Sequence, residues 1–260
     1  MGRGARVYNS PGKIGTNNFT GYLPSELGNL SELKELYMDS CGFSGEIPPS
    51  FANLRNLQTV WASDNNFTGR IPDFIGNWSQ LMYLRFEGNS FEGSVPLSFS
   101  TLASLQELRI SGLPNATLDF IKGLRSLEVL ILRNNRISGT IPNYIGENEN
   151  LTHLDLSFNN LSGPIPRGLF NLSQLSLLFL GNNSLTGTLP NTKSATLGSI
   201  DLSYNQLSGT LPSWTNNQSL QINIVVNNFT LDGSENNSGL LSRLNYLRRD
   251  FPCDRGSTII

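Results

Sequence analysis

The chain has 260 residues, a length that fits one large domain or two ordinary ones. Its formal net charge is −2 and only 15 % of its residues are charged, so no electrostatic footprint for nucleic acid or an anionic membrane is visible. One His and two Cys leave little material for imidazole, metal-thiolate or disulfide-framework chemistry.

The first 16 residues carry Arg3, Arg6 and Lys13 but no apolar run after them. A secretory signal needs an apolar stretch of about 7–15 residues, and a membrane span needs roughly 18. The expectation is a chain with no visible leader, no anchor and no direct membrane insertion of its own. Residues 1–16 occupy the strand half of a repeat, yet Asn9 and Gly12 stand where leucines belong. They are expected to be a degraded or non-native start of the array described next.

From residue 17 to residue 232 the sequence repeats itself. Leu54–Asn77 serves as the 24-residue template, and Leu30–Asn53 and Trp78–Thr101 follow the same pattern without a gap. Leu102–Gly123 is a shorter, irregular copy, after which Leu124–Glu147, Asn148–Asn171, Leu172–Lys193 and Ser194–Thr215 continue the array. Half repeats lie at both ends, giving about nine coils in all.

Each template position has a physical task. The segment L-x-x-L-x-L alternates apolar and polar residues, as in Leu151, Leu154 and Leu156, which is the period of a half-buried strand. One such strand buries too little to survive alone, but stacked strands form a parallel sheet over a continuous leucine core. An Asn follows at 17, 65, 89, 135, 159, 183, 205 and 227. Its side-chain amide can satisfy backbone groups in adjacent coils. Two residues later an apolar side chain recurs at Phe19, Phe43, Phe67, Phe91, Ile137, Leu161, Leu185, Leu207 and Phe229, predicting a second spine.

Then comes G-x-[ILV]-P, with Gly at 21, 45, 69, 93, 139, 163, 187 and 209 and Pro three residues on. Gly allows a turn that other residues resist, and Pro fixes φ and omits a donor. The fold predicted is an α/β-type leucine-rich-repeat solenoid. It has a curved parallel sheet on its concave face, and a second short sheet with 3-10 or helical turns on the convex side.

The L-S-G-x-I-P element resembles plant-specific leucine-rich repeats, shared by receptor-like kinases, receptor-like proteins and polygalacturonase inhibitors. The stretches IPDFIGNWSQL, ELRISGLPNATLDFIKGLRSL, LFNLSQLSLLFLGNNSLTGTLP and NNFTLDGSENNSGLLSRLNYLRRDFPCDRG are similar to receptor kinases that carry a malectin-like domain after the repeats. The resemblance covers about residues 17–256. It implies a parent with a malectin-like domain, a membrane span and a cytoplasmic serine/threonine kinase. Residues 233–260 would be the linker toward that domain. The resemblance also implies a leader and an N-terminal cysteine cap that this sequence lacks. Tyr246 stands where the resemblance places a Cys, so Cys253 has lost its implied partner. Cys41 occupies an Asn-ladder position and reads as a small buried residue.

No catalytic constellation is apparent, and no cofactor or metal is expected. His153 should point outward from its strand with no second His or Cys beside it. Asp155 and Asp201 share an outward column two repeats apart and read as solvated strand residues. No phosphate-binding loop or kinase motif is present, so the chain is expected to be no enzyme.

N-x-[ST] sequons begin at Asn18, Asn29, Asn66, Asn77, Asn115, Asn150, Asn160, Asn171, Asn182, Asn217, Asn228 and Asn236. The repeat itself supplies several of them, but their number points to an extracellular glycoprotein. Asn150, beside a strand, is the weakest candidate.

Outward strand positions are free of folding duties, so their identities carry the functional signal. Tyr37, Trp61, Tyr83, Arg85 and Arg109 are expected to form one patch, with Arg133 in the next column. These are the residue types enriched at binding hot spots. The bland alternative is a ladder of cross-strand charge pairs involving Glu87 and Glu107. The function expected is recognition of a peptide, protein or cell-wall glycan ligand by a receptor ectodomain, with a co-receptor ectodomain as a second partner. Alternatives are an inhibitor of the polygalacturonase-inhibitor kind, which calls for paired cysteine caps, and a structural spacer or non-functional truncated product.

Overall fold

The computed structural model describes residues 21–230. The described residues fall into two compact units, unit 1 up to Ile137 and unit 2 from Ser138.

In unit 1 the L-x-x-L-x-L segments form the parallel strands Glu35–Tyr37, Thr59–Trp61, Tyr83–Arg85, Glu107–Arg109 and Val129–Ile131. Their register aligns one inward row, Leu36, Val60, Leu84, Leu108 and Leu130, each at most 3 % exposed. The same register aligns the outward row Tyr37, Trp61, Arg85, Arg109 and Ile131. A second short sheet pairs Gly21–Tyr22, Phe43–Gly45 and Asn66–Phe67, and ends at an isolated bridge between Arg70 and Glu92. The irregular coil supplies a strand to the long sheet but, lacking G-x-[ILV]-P, none to the short one.

Unit 2 repeats the plan. Its long-sheet strands are His153–Asp155, Leu177–Phe179, Ser199–Asp201 and Gln221–Asn223, all parallel. Ser138–Thr140, Asn160–Pro164 and Ser184–Thr186 form one short sheet, and Ser208–Thr210 pairs with Asn228–Thr230. The coils close through 3-10 turns such as Asp73–Asn77 and Asn143–Glu147, and through one five-residue α-helix, Arg167–Asn171.

The repeat chemistry read from sequence has direct counterparts. Every Gly of the G-x-[ILV]-P element lies at positive φ, from 71° at Gly69 to 108° at Gly21. Pro24, Pro48, Pro72, Pro96, Pro142, Pro166 and Pro212 stand directly before the 3-10 or helical turns. The Asn ladder is realised bond by bond. Asn65 Nδ2 donates to Met38 O (2.8 Å) and Ala62 O, while its Oδ1 accepts from the N–H groups of Cys41 and Phe43. Asn205 repeats this with Leu180 O, Leu202 O and Leu185 N. The second spine stacks too: Phe43 on Phe67 at 6.4 Å and Phe67 on Phe91 at 6.1 Å, nearly parallel.

Cys41 is buried, as a short side chain in a ladder position should be. Cys253 and residues 233–260 lie outside the described residues, as do residues 1–16, Asn17, Asn18, Phe19 and Asn236.

Candidate functional site

The patch expected on the strand face of unit 1 is assembled by strand register. Tyr37 and Trp61 sit opposite each other on neighbouring strands, and their rings meet edge to face at 5.0 Å. Arg85, opposite Trp61 on the next strand, lays its guanidinium 4.0 Å from the centre of the indole. Glu107 then bridges two cations: its Oε1 accepts from Arg85 Nε at 2.5 Å and from Arg109 Nε at 2.6 Å. Tyr83 joins from the adjacent row by donating its hydroxyl to Gln106 Oε1 at 2.7 Å. Arg133 is exposed in the turn two residues past the strand Val129–Ile131, which pairs with that of Arg109.

Every link here joins adjacent strands except the one between Arg109 and Glu107, which share a strand. An aromatic pair of this geometry contributes about 0.5–1.5 kcal/mol beyond its area, and an exposed cation–π contact about 0.5–1 kcal/mol. The arrangement is therefore held in shape before any ligand arrives.

Charge in the patch is balanced rather than basic. Burial pushes the Glu107 carboxyl upward, but the hydrogen bonds and charges of Arg85 and Arg109 outweigh it, and the net pKa is lowered. Glu87 is raised by burial despite Arg109 and Arg85. Asp39 is raised by burial as well, although Ser63 N–H donates to its Oδ1 at 2.8 Å. Burial, then the neighbouring Glu35, raises Tyr37. The Trp61 indole N–H is buried with no acceptor among the described residues. A buried donor in that state costs about 1–3 kcal/mol.

Sequence reasoning treated Glu107 only as part of a charge ladder. The structure makes it the 8 % exposed hub that fixes both arginines. The signal was present: a carboxylate two residues before one Arg, with a second Arg one repeat earlier in register.

Other candidates separate from this patch. Asp155 is not a solvated strand residue. It is 7 % exposed, and its Oδ1 accepts from the backbone N–H (2.9 Å) and hydroxyl (2.5 Å) of Ser157. Asp201 does the same for Ser203. Both carboxylates are thus occupied in shaping the turn that leaves their strands, which the alternation pattern could not reveal. His153 meets Phe179 edge to face at 5.5 Å. Trp78 is buried in the core and donates to Phe51 O, and Trp214 donates to Pro190 O. Among the described residues no group of three His, Cys, Asp or Glu side chains could hold a metal, and no helix is long and apolar enough to cross a membrane.

Of the sequons within the described residues, Asn29, Asn66, Asn77, Asn115, Asn150, Asn160, Asn171, Asn217 and Asn228 are exposed, and Asn182 is half-buried. A cleft of about 300 Å³ lies beside Arg70, Asp73, Ser94, Pro96 and Asn115. It is at the lower limit for small-molecule sites and carries no aromatic anchor.

Stacked parallel strands, an asparagine ladder and 3-10 closures define a leucine-rich repeat protein. The chain belongs to that family, the leucine-rich repeat region matching residues 14–248. It is a repeat region of the kind found in plant receptor ectodomains, not a catalytic domain. It is 32 % identical over 143 residues to Receptor-like protein 39 of Arabidopsis thaliana, covering 54 % of this chain and 11 % of that protein. The structure of the Arabidopsis receptor kinase HAESA, in complex with the peptide hormone IDA and the co-receptor SERK1, matches with TM-score 0.77 and 32 % identity. That match covers 82 % of this chain and 37 % of the matched chain. A plant ice-binding protein matches with TM-score 0.76 and 26 % identity, covering 83 % of this chain and 71 % of that one. The chain thus spans about a tenth of the receptor-like protein and little more than a third of HAESA's ectodomain. One repeat fold carries receptors and an ice binder alike, so side chains on the surface must decide between functions.

Proposed function

We propose that this chain is a ligand-recognition segment of a plant cell-surface receptor ectodomain. Its contact surface is the strand face of unit 1: Tyr37, Trp61, Tyr83, Arg85 and Arg109, with Arg133 at the margin. The observation that carries the reading is the linked series Tyr37, Trp61, Arg85, Glu107 and Arg109, because the repeat asks for none of these side chains. Half-exposed Tyr, Trp and Arg already locked in position lose little freedom on binding, which is where affinity is gained. A peptide fits best, since the aromatic faces of Tyr37 and Trp61 can take its apolar side chains and the outer guanidinium donors its acidic groups. A protein loop or cell-wall glycan would use the same aromatic faces.

The parent would be a receptor kinase of the malectin-domain-containing type, on the strength of the DFIK and FPC-x-RG stretches. In it, signalling would follow from bringing a co-receptor ectodomain alongside, as the complex of HAESA, IDA and SERK1 illustrates for that receptor. The exposed sequons support an extracellular setting, with glycans at Asn29, Asn66, Asn77, Asn115, Asn160, Asn171, Asn217 and Asn228. The inhibitor alternative is disfavoured: it calls for paired cysteine caps, while Cys41 is a buried ladder residue.

The test is binding of the secreted chain to arrays of synthetic plant peptide hormones and cell-wall oligosaccharides. Trp61→Ala and Arg85→Ala are each compared with wild type after circular dichroism confirms the fold. A hot-spot role predicts at least a thirtyfold loss for Trp61→Ala, which corresponds to about 2 kcal/mol. Binding unchanged in both variants would remove this face from the ligand site.

A further inference from the structure

Three residues past each long strand the chain passes through the left-handed region. In unit 1 that column is Ser40, Asp64, Gly88, Gly112 and Asn134. Small or locally hydrogen-bonding residues of this kind tolerate the conformation. In unit 2 the column is Phe158 (φ 56°), Asn182 (56°), Tyr204 (54°) and Val226 (58°). Two aromatic residues and a β-branched one are what the left-handed region disfavours most. The same three side chains are 45 %, 41 % and 49 % exposed, half of the six exposed large hydrophobic residues among those described. Strain and exposed apolar surface therefore coincide, residue by residue. Such a coincidence is a pointer to function.

The column is continuous. Phe158 N–H donates to Gly181 O (2.9 Å), Asn182 N–H to Ser203 O (2.8 Å) and Tyr204 N–H to Val225 O (2.9 Å). Each step is one strand spacing, about 4.8 Å. Between the two aromatic residues stands Asn182, the acceptor of the sequon Asn182-Asn183-Ser184. The ladder takes the amide of Asn183, through Leu156 O and Leu161 N, and makes no use of that of Asn182.

We infer that Asn182 carries an N-linked glycan whose inner sugars lie against Phe158 and Tyr204, the exposed apolar column being its seat. Attachment joins Asn182 Nδ2 to the sugar C1. The polyprenyl pyrophosphate of the lipid-linked oligosaccharide donor leaves, and Nδ2 loses one proton. One face of a pyranose presents only C–H groups and packs on an aromatic ring as other apolar surfaces do. Because the glycan is tethered, even weak stacking is effectively intramolecular. The inference rests on the extracellular reading above.

The experiment compares the full chain secreted from plant cells behind a secretion signal with the same chain made in bacteria, which lacks glycans. Glycopeptide mass spectrometry reads occupancy, and thermal unfolding reads the packing. Ser184→Ala abolishes the sequon without touching Asn182 or Asn183, Ser184→Thr retains it, and Thr68→Ala removes the sequon at Asn66 as a control outside the column. Expected are occupancy at Asn182 and a Tm fall of about 2–4 °C for Ser184→Ala in the secreted chain alone. Phe158→Ser with Tyr204→Ser should lower Tm in the secreted chain and raise it in the bacterial one. An unmodified Asn182 beside modified sequons overturns the inference and leaves the receptor reading intact. So do identical shifts with and without glycans, or a dimer that Tyr204→Ser dissociates. Absence of glycan at every sequon would overturn the extracellular reading itself.

Discussion

The two units run the same repeat, yet they differ in where side chains depart from what the repeat requires. In unit 1 the outward strand row holds Tyr37, Trp61, Arg85 and Arg109, which reach across to one another, while its left-handed column is small and polar. In unit 2 the corresponding row holds Asp155, Phe179, Asp201 and Asn223, and both aspartates fold back onto serines of their own turns. Its left-handed column carries Phe158, Tyr204 and Val226 instead. The repeat fixes inward leucines, ladder asparagines and turn glycines in both units. Whatever lies outside those positions records what each unit does, so the two faces should respond differently to the same kinds of change.

The frame itself should not distinguish them, and the largest expected effect tests that. Asn65→Ala in unit 1 and Asn205→Ala in unit 2 each strand several buried backbone N–H and C=O groups of two coils. At about 1–3 kcal/mol per orphaned group, each substitution should cost at least about 3 kcal/mol. Urea unfolding followed by hydrogen exchange, which reads each unit separately, checks this. A cost in one unit and none in the other would mean that the ladder is not a shared frame.

Next in size is the left-handed column, where the units should move in opposite directions. A left-handed non-glycine residue carries about 1–2 kcal/mol of strain. Val226→Gly should therefore stabilise unglycosylated unit 2 by about 1 kcal/mol, after the entropy of the added glycine in the unfolded chain is set against the relief. Gly112→Ala in unit 1 should destabilise by about as much, because φ is 85° and the new Cβ would lie 3.3 Å from Asn89 O. If Val226→Gly destabilises unit 2, the side chain packs better than its exposure implies, and the contrast between columns loses its meaning.

The frame was legible in the sequence because it is repetitive: Phe67 stacks on Phe91, and Gly69 takes positive φ, for reasons visible in every copy. The patch was legible as a set of residue types, but its wiring was not. That Arg85 turns toward Trp61 and Glu107 depends on rotamers chosen across strands, which a linear pattern does not encode. Asp155 misled for a related reason. Alternation places it outward, yet a carboxylate two residues before a serine can bend back and cap the turn, becoming buried in doing so. The strained column leaves no mark in the sequence because handedness at Phe158, Tyr204 and Val226 is imposed by the coil, against their own preference.

The smallest effect is a pH dependence confined to the unit 1 patch. Glu87 and Asp39 have folded pKa values above their ordinary 4.5 and 3.8, so the folded state binds protons that the unfolded state has already released. Their contribution favours folding at low pH and is lost as pH rises through the raised values. Glu107 has the opposite sign: its lowered pKa gives stability that is full above 4.5 and disappears as pH falls through the folded value. Acidification from neutrality should therefore first stabilise unit 1 slightly and then destabilise it. Glu87→Gln should flatten the first limb and raise stability at pH 7. Glu107→Gln should lower stability at pH 7 and flatten the second. Because Glu87 and Asp39 are partly solvated, and because burial opposes what Arg85 and Arg109 give Glu107, each change should stay below about 1 kcal/mol. The readout is urea unfolding from pH 3 to pH 8, followed by the fluorescence of Trp61 and Trp78. A profile unchanged by Glu107→Gln would mean that Arg85 and Arg109 are held by something other than their shared carboxylate. The patch would then owe its shape to the Trp61 ring alone.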